Sequence, residues 1–353
     1  MNFIKRLFRI GLILCGFSLG IFARDIRIDA AAVENYGIHI NIEMTGDLET
    51  TDLKLFRCTR AIFPDNIDPI KYPVTVYTLP PDVTANGFTD TNAAHDVKYY
   101  YMVEMSSGEK ITVKSNIVSA LLPGLELPVL VDPEIVIDKI HYILEVKDRD
   151  RSFKRYPIIL GRDPIERKLH QDFKTTPEGI YKITYRKERS SFTHAFDIDY
   201  PNSMDRIRYE FMTSQGLVPD GKTIGGEIQI HGQLRKWTVD RNWTWGCIAM
   251  RNDDVKELFA HDEIREGTPV FIVGEGITNE DLVSFRKSRS KEEIMGIQQK
   301  LKDGGYYSGK SDGILGRQTR FALGRYQQAN SYPITCDLDV RTLEELTSVS
   351  ERF

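Results

Sequence analysis

Two residues of this 353-residue chain could act together in acyl-transfer chemistry, Cys247 and His231. A thiol with a pKa of about 8.5 is mostly protonated at neutral pH, and a neighbouring imidazole can take its proton and leave a reactive thiolate. Gly246 has no Cβ to obstruct a substrate carbonyl, and the backbone N–H groups around Trp245, Gly246 and Cys247 could stabilise a tetrahedral oxyanion. The alternative is a buried cysteine and a core histidine without chemistry, and the residues alone leave both interpretations open.

A strand and a returning loop must position these two side chains, which are too far apart in sequence for local contact. Residues 227–232, Glu-Ile-Gln-Ile-His-Gly, alternate apolar and polar positions and predict a half-buried strand with His231 at its end. Residues 244–250 place Cys247 directly after a glycine and before the apolar Ile248. A loop that returns to the strand would bring the thiol to the imidazole.

These segments resemble the L,D-transpeptidase (YkuD) family, whose pattern is His-Gly, a gap in the mid-teens, and Thr-x-Gly-Cys-Ile-x-Met-x-Asn. Three upstream segments, residues 156–164, 176–183 and 200–202, resemble the same domain in the same order. The similarity covers about residues 133–274 and implies a mainly β catalytic domain. It also implies that Cys247 is the nucleophile and His231 the proton donor and acceptor.

The resemblance also implies which residues surround Cys247 and His231. The backbone of Trp245, Gly246 and Gly232 would stabilise the oxyanion or orient His231, and His194, Thr244 and Arg251 would line the substrate site. Each of the last three has an alternative role. His194 could be a structural histidine, Thr244 could hold the loop, and Arg251 could be a solvated surface residue.

Two positions depart from the family pattern. Many members have a second histidine where this chain has Trp245, and many have an arginine where it has Ala249. Tryptophan cannot titrate, so His231 must be the general base if the chemistry occurs. The substrate would need another anchor, and Arg251 is one candidate.

The N-terminal part of the sequence predicts an export signal followed by a β-sandwich. Basic residues at positions 5, 6 and 9 precede an apolar stretch over residues 10–22, which predicts a signal peptide over residues 1–23. Short alternating strands separated by turn residues predict a sandwich over residues 25–122. Residues 88–104 resemble the late strands of a fibronectin type III domain.

The sequence after the sandwich predicts strands up to a helix at residues 253–260. A final strand and a polar linker over residues 276–290 follow this helix. Residues 290–350 then predict three helices joined by glycine-rich loops. Gly-Tyr-Tyr-x-Gly, Asp-Gly-x-x-Gly and Tyr-Gln in this part resemble a small peptidoglycan-binding domain. The predicted fold is therefore mainly β, with a small three-helix domain at the C-terminus.

Composition narrows the classes of partner. A net charge of −4 and a pI near 6.0, without a clustered basic surface, argue against nucleic-acid binding. The histidines are scattered without metal-ligand spacing, so the sequence predicts neither zinc nor another cofactor.

Together, the resemblances imply an enzyme of the periplasm or cell wall that acts on peptidoglycan stem peptides. Cys247 would form a thioacyl-enzyme with a tetrapeptide and pass the acyl group to an acceptor amine, of another stem or of a wall-anchored protein. One alternative is an L,D-endopeptidase or amidase that hydrolyses such links with the same residues. The other is a non-catalytic wall-binding protein.

Overall fold

The computed structural model describes residues 25–33, 37–45, 52–60, 71–80, 82–107, 110–149, 151–233 and 241–348. The predicted signal peptide, residues 1–23, and the last two residues of the predicted C-terminal domain lie outside this part of the chain. Within the described residues, no helix combines the length and the apolar character needed to cross a membrane.

Two antiparallel sheets form the N-terminal β-sandwich, as predicted. The first contains β1 (Asp25–Val33), β2 (Gly37–Thr45) and β5 (Phe88–Asp90). The second contains β3 (Asp52–Cys58), β4 (Val74–Leu79), β6 (Val97–Ser107), β7 (Lys110–Lys114) and β8 (Val118–Leu122). The short helix α1 (Val83–Asn86) precedes β5. Alternate residues of the strands, among them Ile28, Ile40 and Leu55, point inward and form one apolar core between the sheets.

Eight strands of the central part close into a barrel in the order β10-β11-β15-β14-β13-β12-β16-β9. Their bounds are β9 (Pro133–Asp138), β10 (Ile143–Asp148), β11 (Arg151–Ile159), β12 (Gly179–Ser190), β13 (Thr193–Ile198), β14 (Gln229–His231), β15 (Ile248–Met250) and β16 (Pro269–Val273). Inward-facing Ile, Leu, Val and aromatic side chains fill the interior. Helix α3 (Asn252–Ala260), which the sequence predicted, contributes Val255 and Leu258 to the same core.

The prediction of uninterrupted strand before residue 253 was wrong, because helix α2 spans Ser203–Ser214. Asn202 accepts from the N–H groups of Met204 and Asp205, and the Asp205 carboxylate accepts from the Asn202 N–H, which forms a capping box. Only Asp205 and Phe211 of this helix are buried. The apolar periodicity that normally reveals a helix in a sequence is therefore weak here.

The C-terminal domain contains the three predicted helices, α5 (Lys291–Asp303), α6 (Arg317–Ala329) and α7 (Val340–Thr347). They pack around a small core that includes Ile297, Leu301 and Leu323. The preceding segment is not the plain linker that its polar composition predicted. Helix α4 (Asn279–Arg286) forms there, and a capping box between Thr278 and Asp281 starts it.

Buried polar contacts join the sandwich to the barrel. Arg57 is 2% exposed, and its guanidinium donates to both carboxylate oxygens of Asp90 at 2.8 and 3.0 Å. It also donates to Thr75 Oγ1 at 3.0 Å and to the carbonyl oxygen of His141, in the barrel, at 2.6 Å. The main-chain N–H of His95 donates to Arg155 O at 3.1 Å. The sandwich is thus held to the barrel by directional contacts.

The C-terminal domain also contacts the barrel directly. The ring of Phe211 on α2 meets Phe321 on α6 edge-on, with ring centroids 5.6 Å apart. A Cβ on Gly324 would lie 2.9 Å from the Phe211 ring, so glycine is needed for this close approach of the two helices. Arg167 Nη1, from the barrel, donates to Ile334 O at 3.0 Å.

Candidate functional site

Adjacent parallel strands of the barrel position Cys247 and His231. In the β14–β15 pair, Ile230 lies opposite Ile248 and His231 opposite Ala249. Ile230 and Ile248 point into the barrel core. Because side chains alternate along a strand, His231 lies on the outer face, and Cys247, immediately before β15, lies on that same face. The structure therefore brings the two residues to one face of one sheet across the 16-residue separation (247 − 231).

The His231 imidazole is buried and fixed in one orientation. It is 2% exposed, and the rings of Phe192 and Trp243 lie 4.3 and 5.9 Å from it. Its Nδ1 lies 2.5 Å from Gly232 O, a carbonyl that can only accept, so Nδ1 carries the proton and Nε2 is the acceptor of the neutral ring. Burial lowers the pKa of His231, an effect that the bond to Gly232 partly opposes. The neutral, proton-accepting form is therefore favoured.

The tight turn after His231 depends on Gly232. A Cβ at this position would lie 2.5 Å from Phe192 O and 2.6 Å from Asn252 Oδ1. The same Asn252 oxygen accepts from the Gln233 N–H at 2.7 Å. Gly232 thus allows the chain to turn back so that its carbonyl faces the imidazole of His231.

The Cys247 thiol is partly exposed, whereas the imidazole is enclosed. Its Sγ lies 3.5 Å from Glu227 O. Burial raises the pKa of the thiol, and a backbone hydrogen bond from Gln229 and the positive charge of Lys168 oppose this rise. Burial thus favours the neutral form of both the Cys247 thiol and the His231 imidazole.

Thr244 and Gly246 define the loop that presents the thiol. Thr244 is 2% exposed, and its Oγ1 donates to Cys247 O at 2.7 Å and accepts from the Gly246 N–H at 3.2 Å. Gly246 has φ +122°, and a Cβ there would lie 2.5 Å from Thr175 O. Because the Gly246 N–H is bonded to Thr244, the N–H groups of Trp245 and Cys247 are the better candidates for oxyanion donors.

Trp245 lies on the surface, two residues before Cys247. Its side chain is 56% exposed, and the Lys174 ammonium lies 4.9 Å from the centre of its ring. The indole is thus an exposed aromatic group of the nucleophile loop.

His194 lies on β13, where its neighbour Ala195 is opposite His231. By the alternation of side chains, His194 points to the other face of the sheet from His231. Its ring stacks on Phe259 of α3 with centroids 4.3 Å apart, and its Nδ1 lies 2.7 Å from Glu188 O. These contacts are those of a histidine that packs α3 against the barrel.

Arg251 is engaged in contacts within the protein. Its guanidinium binds both oxygens of Asp254 at 2.6 and 2.7 Å. Its Nη1 also donates to Asp96 O of the sandwich at 2.9 Å. The side chain therefore joins α3 to the N-terminal domain.

Lys168 was not among the residues that the sequence pointed to. It lies between two segments that resemble the family, in a run that reads Glu-Arg-Lys-Leu-His from position 166. Its charge acts on the Cys247 thiol, and its ammonium lies 6.0 Å from the centre of the Tyr200 ring. A short basic run next to an apolar residue was the only signal in the sequence, and it does not distinguish a site from a solvated loop.

Potential metal ligands do not gather in groups of three or more anywhere in the part of the chain that the structure describes. The groups that act on the Cys247 thiol include the backbone N–H of Gln229 and the charges of Lys168, Asp197 and Glu227.

Two parts of the chain match known protein families. Residues 132–272 match the L,D-transpeptidase catalytic domain (YkuD), and residues 290–346 match the "Putative peptidoglycan binding domain". A curated protein of Bacillus subtilis (strain 168), "Putative L,D-transpeptidase YqjB", is 25% identical over 182 residues, which are 51% of this chain and 94% of that protein.

Solved structures with a partial likeness include two L,D-transpeptidases. The one from Xylanimonas cellulosilytica DSM 15894 (residues 123–326) is 13% identical with a TM-score of 0.28, and the match covers 42% of this chain and 63% of that one. L,D-transpeptidase 1 of Mycobacterium tuberculosis is 12% identical with a TM-score of 0.26, over 53% and 76% of the two chains. Such TM-scores add nothing to the assignment, which rests on the two domain matches and the curated relative. The chain thus carries a YkuD-type L,D-transpeptidase catalytic domain followed by a domain of the peptidoglycan-binding type.

Proposed function

We propose that this chain is a peptidoglycan L,D-transpeptidase that uses Cys247 as its nucleophile and His231 as its proton acceptor and donor. The observation that supports the proposal is the parallel pairing of β14 and β15, in which His231 lies opposite Ala249, two residues after Cys247. The hydrogen bond between His231 Nδ1 and Gly232 O supports it, because it leaves Nε2 to take the thiol proton.

In the first step, His231 Nε2 accepts the Cys247 proton. The thiolate then attacks the carbonyl carbon of the amide that joins a dibasic stem residue to the terminal D-alanine. The carbonyl electron pair moves to oxygen, and the N–H groups of Trp245 and Cys247 stabilise the oxyanion. When the intermediate collapses, the C–N bond breaks, and the leaving amine takes the proton from the imidazolium. The products are a thioester on Cys247 and free D-alanine.

In the second step, an acceptor amine attacks the thioester. His231 takes the proton that the amine loses, the C–S bond breaks, and the thiolate recovers that proton. The acceptor is the amine of another stem or of a wall-anchored protein. The proposed substrates and the C-terminal domain imply action outside the cytoplasm, in the periplasm or cell wall, after export by the signal at residues 1–23.

The proposed domain limits are residues 25–122, 133–274 and 290–350. Thr244 holds the nucleophile loop, Gly232 and Gly246 shape the backbone around the pair, and Trp245 borders the thiol. Arg251 and His194 act in packing rather than on substrate, because both are engaged by other residues of the chain.

Incubation of the purified chain with stem tetrapeptides, followed by mass spectrometry of protein and peptides, tests this function. We expect a thioacyl adduct on Cys247, released D-alanine and a new crosslinked dimer. Cys247→Ala should lower turnover by at least about 1,000-fold. Cys58→Ala, which removes a buried sandwich cysteine instead, should leave turnover unchanged.

The products decide between the alternatives. Monomers formed from a preformed dimer would indicate hydrolysis of the same thioester by water. A chain that binds cell-wall sacculi equally well with and without Cys247, and that never forms an adduct, would be a wall-binding scaffold.

A further inference from the structure

Two aromatic side chains, Phe192 and Trp243, enclose the His231 imidazole on the outer face of the barrel sheet. The ring of Phe192 lies 4.3 Å from the imidazole at an interplanar angle of 31°, and the ring of Trp243 lies 5.9 Å from it. The Phe192 and Trp243 rings are 6.1 Å apart, so the three rings form one cluster. His231 is 2% exposed although it points away from the barrel core. The aromatic enclosure therefore contributes to the burial of the imidazole.

Phe192 reaches the imidazole from the tip of a hairpin. Ser190 of β12 pairs with Thr193 of β13, so the two strands are joined by a two-residue turn whose second residue is Phe192. Such turns favour glycine, asparagine and aspartate, so the turn itself gives no reason for a phenylalanine. Thr193 has φ +76°, a conformation that β-branched residues rarely adopt. An unfavourable turn that is kept next to His231 indicates that the contact has a role.

Trp243 forms the anchored side of the enclosure. Its neighbour Asn242 is 5% exposed, and the Asn242 main-chain N–H donates to Lys71 O of the sandwich at 3.1 Å. The Asn242 side chain accepts from the Leu160 N–H at 3.1 Å and donates to the Tyr142 hydroxyl at 3.2 Å. The indole is thus held by both domains, whereas Phe192 is partly exposed at the hairpin tip.

The residues that adjoin His231 on the neighbouring strands and in the enclosure are uncharged. Ala195 of β13 and Ala249 of β15 lie opposite it, and neither they nor the two aromatic rings titrate. The titratable partner that the proposed function gives the imidazole is the Cys247 thiol. Burial in these apolar surroundings lowers the pKa of His231, and the hydrogen bond to Gly232 O acts in the opposite direction.

We propose that Phe192 is a positioning residue for the transfer reaction, because its ring excludes water from the His231 imidazole and holds it in the orientation set by the Gly232 carbonyl. The inference rests on the proposed function, since it concerns how the proton acceptor is prepared for the thiol. Without this ring, water would reach the imidazole and stabilise its protonated form, and the imidazole could turn. A smaller fraction of the enzyme would then be able to accept the Cys247 proton.

The first test measures the imidazole directly and needs no turnover. NMR titration of the histidine rings in the full chain with Cys247→Ala gives the midpoint of His231, which is assigned by comparison with His231→Gln. Adding Phe192→Ala should raise this midpoint toward the value of about 6.5 of a solvated histidine. Phe192→Gln, which keeps most of the volume but is polar, should act in the same direction, so the test does not depend on the alanine variant folding. Phe192→Leu keeps an apolar cover and should leave the midpoint close to that of the parent.

The matched control is Phe259→Ala. The Phe259 ring stacks on His194 with a centroid distance of 4.3 Å, the same as that between Phe192 and His231, but on the other face of the sheet. This control removes an equally close aromatic contact of a histidine, and it should leave the His231 midpoint unchanged.

The active chain gives the second measurement. Acylation of Cys247 by the stem tetrapeptide is followed against pH by intact-protein mass spectrometry. In Phe192→Ala, the acid limb of kcat/KM should lie at higher pH than in the wild type. On the plateau, kcat should fall by at least about 10-fold because the imidazole can turn, and KM should stay the same because Phe192 acts through His231.

The outcomes separate the two proposals. An unchanged His231 midpoint in both Phe192→Ala and Phe192→Gln overturns the role of Phe192. An equal rise in Phe259→Ala overturns it as well, since the effect would then come from a general loosening of the sheet. If the titrations behave as expected but the wild type forms no adduct, the enclosure stands, and the proposed function fails together with the role of Phe192 in the reaction.

Discussion

Replacing Thr244 by valine tests whether two hydrogen bonds hold the nucleophile loop in place. The hydroxyl donates to Cys247 O at 2.7 Å and accepts from the Gly246 N–H at 3.2 Å, and the side chain is 2% exposed. Valine has nearly the same shape, so it removes the hydroxyl without opening a cavity. The Gly246 N–H and the Cys247 carbonyl both lose this partner in the valine variant.

The magnitude follows from the number of groups that lose a partner. An unsatisfied buried donor or acceptor costs about 1–3 kcal/mol. Two such groups, partly relieved by movement of the loop, should lower the free energy of unfolding by about 2–4 kcal/mol. Thr244→Ser keeps the hydroxyl and loses one methyl group, which should cost only about 1 kcal/mol.

Thermal unfolding and acylation kinetics measure the two consequences. At about 2–4 °C per kcal/mol, Thr244→Val should unfold several degrees below the wild type, and Thr244→Ser should stay close to it. Because the hydroxyl also fixes the backbone of the nucleophile, kcat/KM for acylation of Cys247 should fall at least about 10-fold in the valine variant. A variant with wild-type unfolding temperature and low activity would refute this reasoning, since the hydroxyl would then act on substrate. Equal behaviour of the valine and serine variants would also refute it.

Three further predictions concern the loop, the base and the domain junction. Gly246→Ala should abolish acylation of Cys247 by the stem tetrapeptide, as seen by intact-protein mass spectrometry, because a Cβ would lie 2.5 Å from Thr175 O at a φ of +122°. An adduct at the wild-type rate would show that the loop can move to accept it. The lowered pKa of His231 means that the ring loses its proton, and becomes able to accept one from the thiol, at a lower pH than an ordinary histidine. The acid limb of kcat/KM against pH should therefore lie below the usual histidine value of about 6.5, and a limb above that value would contradict it. Arg57→Met should leave Asp90 as a buried unpaired carboxylate and lower the free energy of unfolding by about 3–5 kcal/mol, measured by urea denaturation. Loss of less than about 1 kcal/mol would mean that Asp90 is solvated or protonated at no cost.

Much of the fold follows from local patterns. Period-two alternation predicted the sandwich strands and the strand ending at His231, and helical spacing predicted α3 and α5 to α7. Helices α2 and α4 also carry local signals, the capping boxes begun by Asn202 and Thr278. Their polar sequences hid these signals, because few of their residues face a core.

The chemistry of the candidate site follows from residue types, but its geometry does not. A cysteine after a glycine and a histidine at the end of an alternating strand allow a thiol–imidazole pair, and the resemblance to the family selects Cys247 and His231 for it. The fold decides that the two strands pair in parallel and that Gly232 O faces the imidazole. It also brings Arg251 to Asp96, 155 residues away, and lets the charge of Lys168 act on the thiol. Such contacts form between residues far apart in sequence, when the barrel closes and the domains dock. No local sequence pattern predicts them.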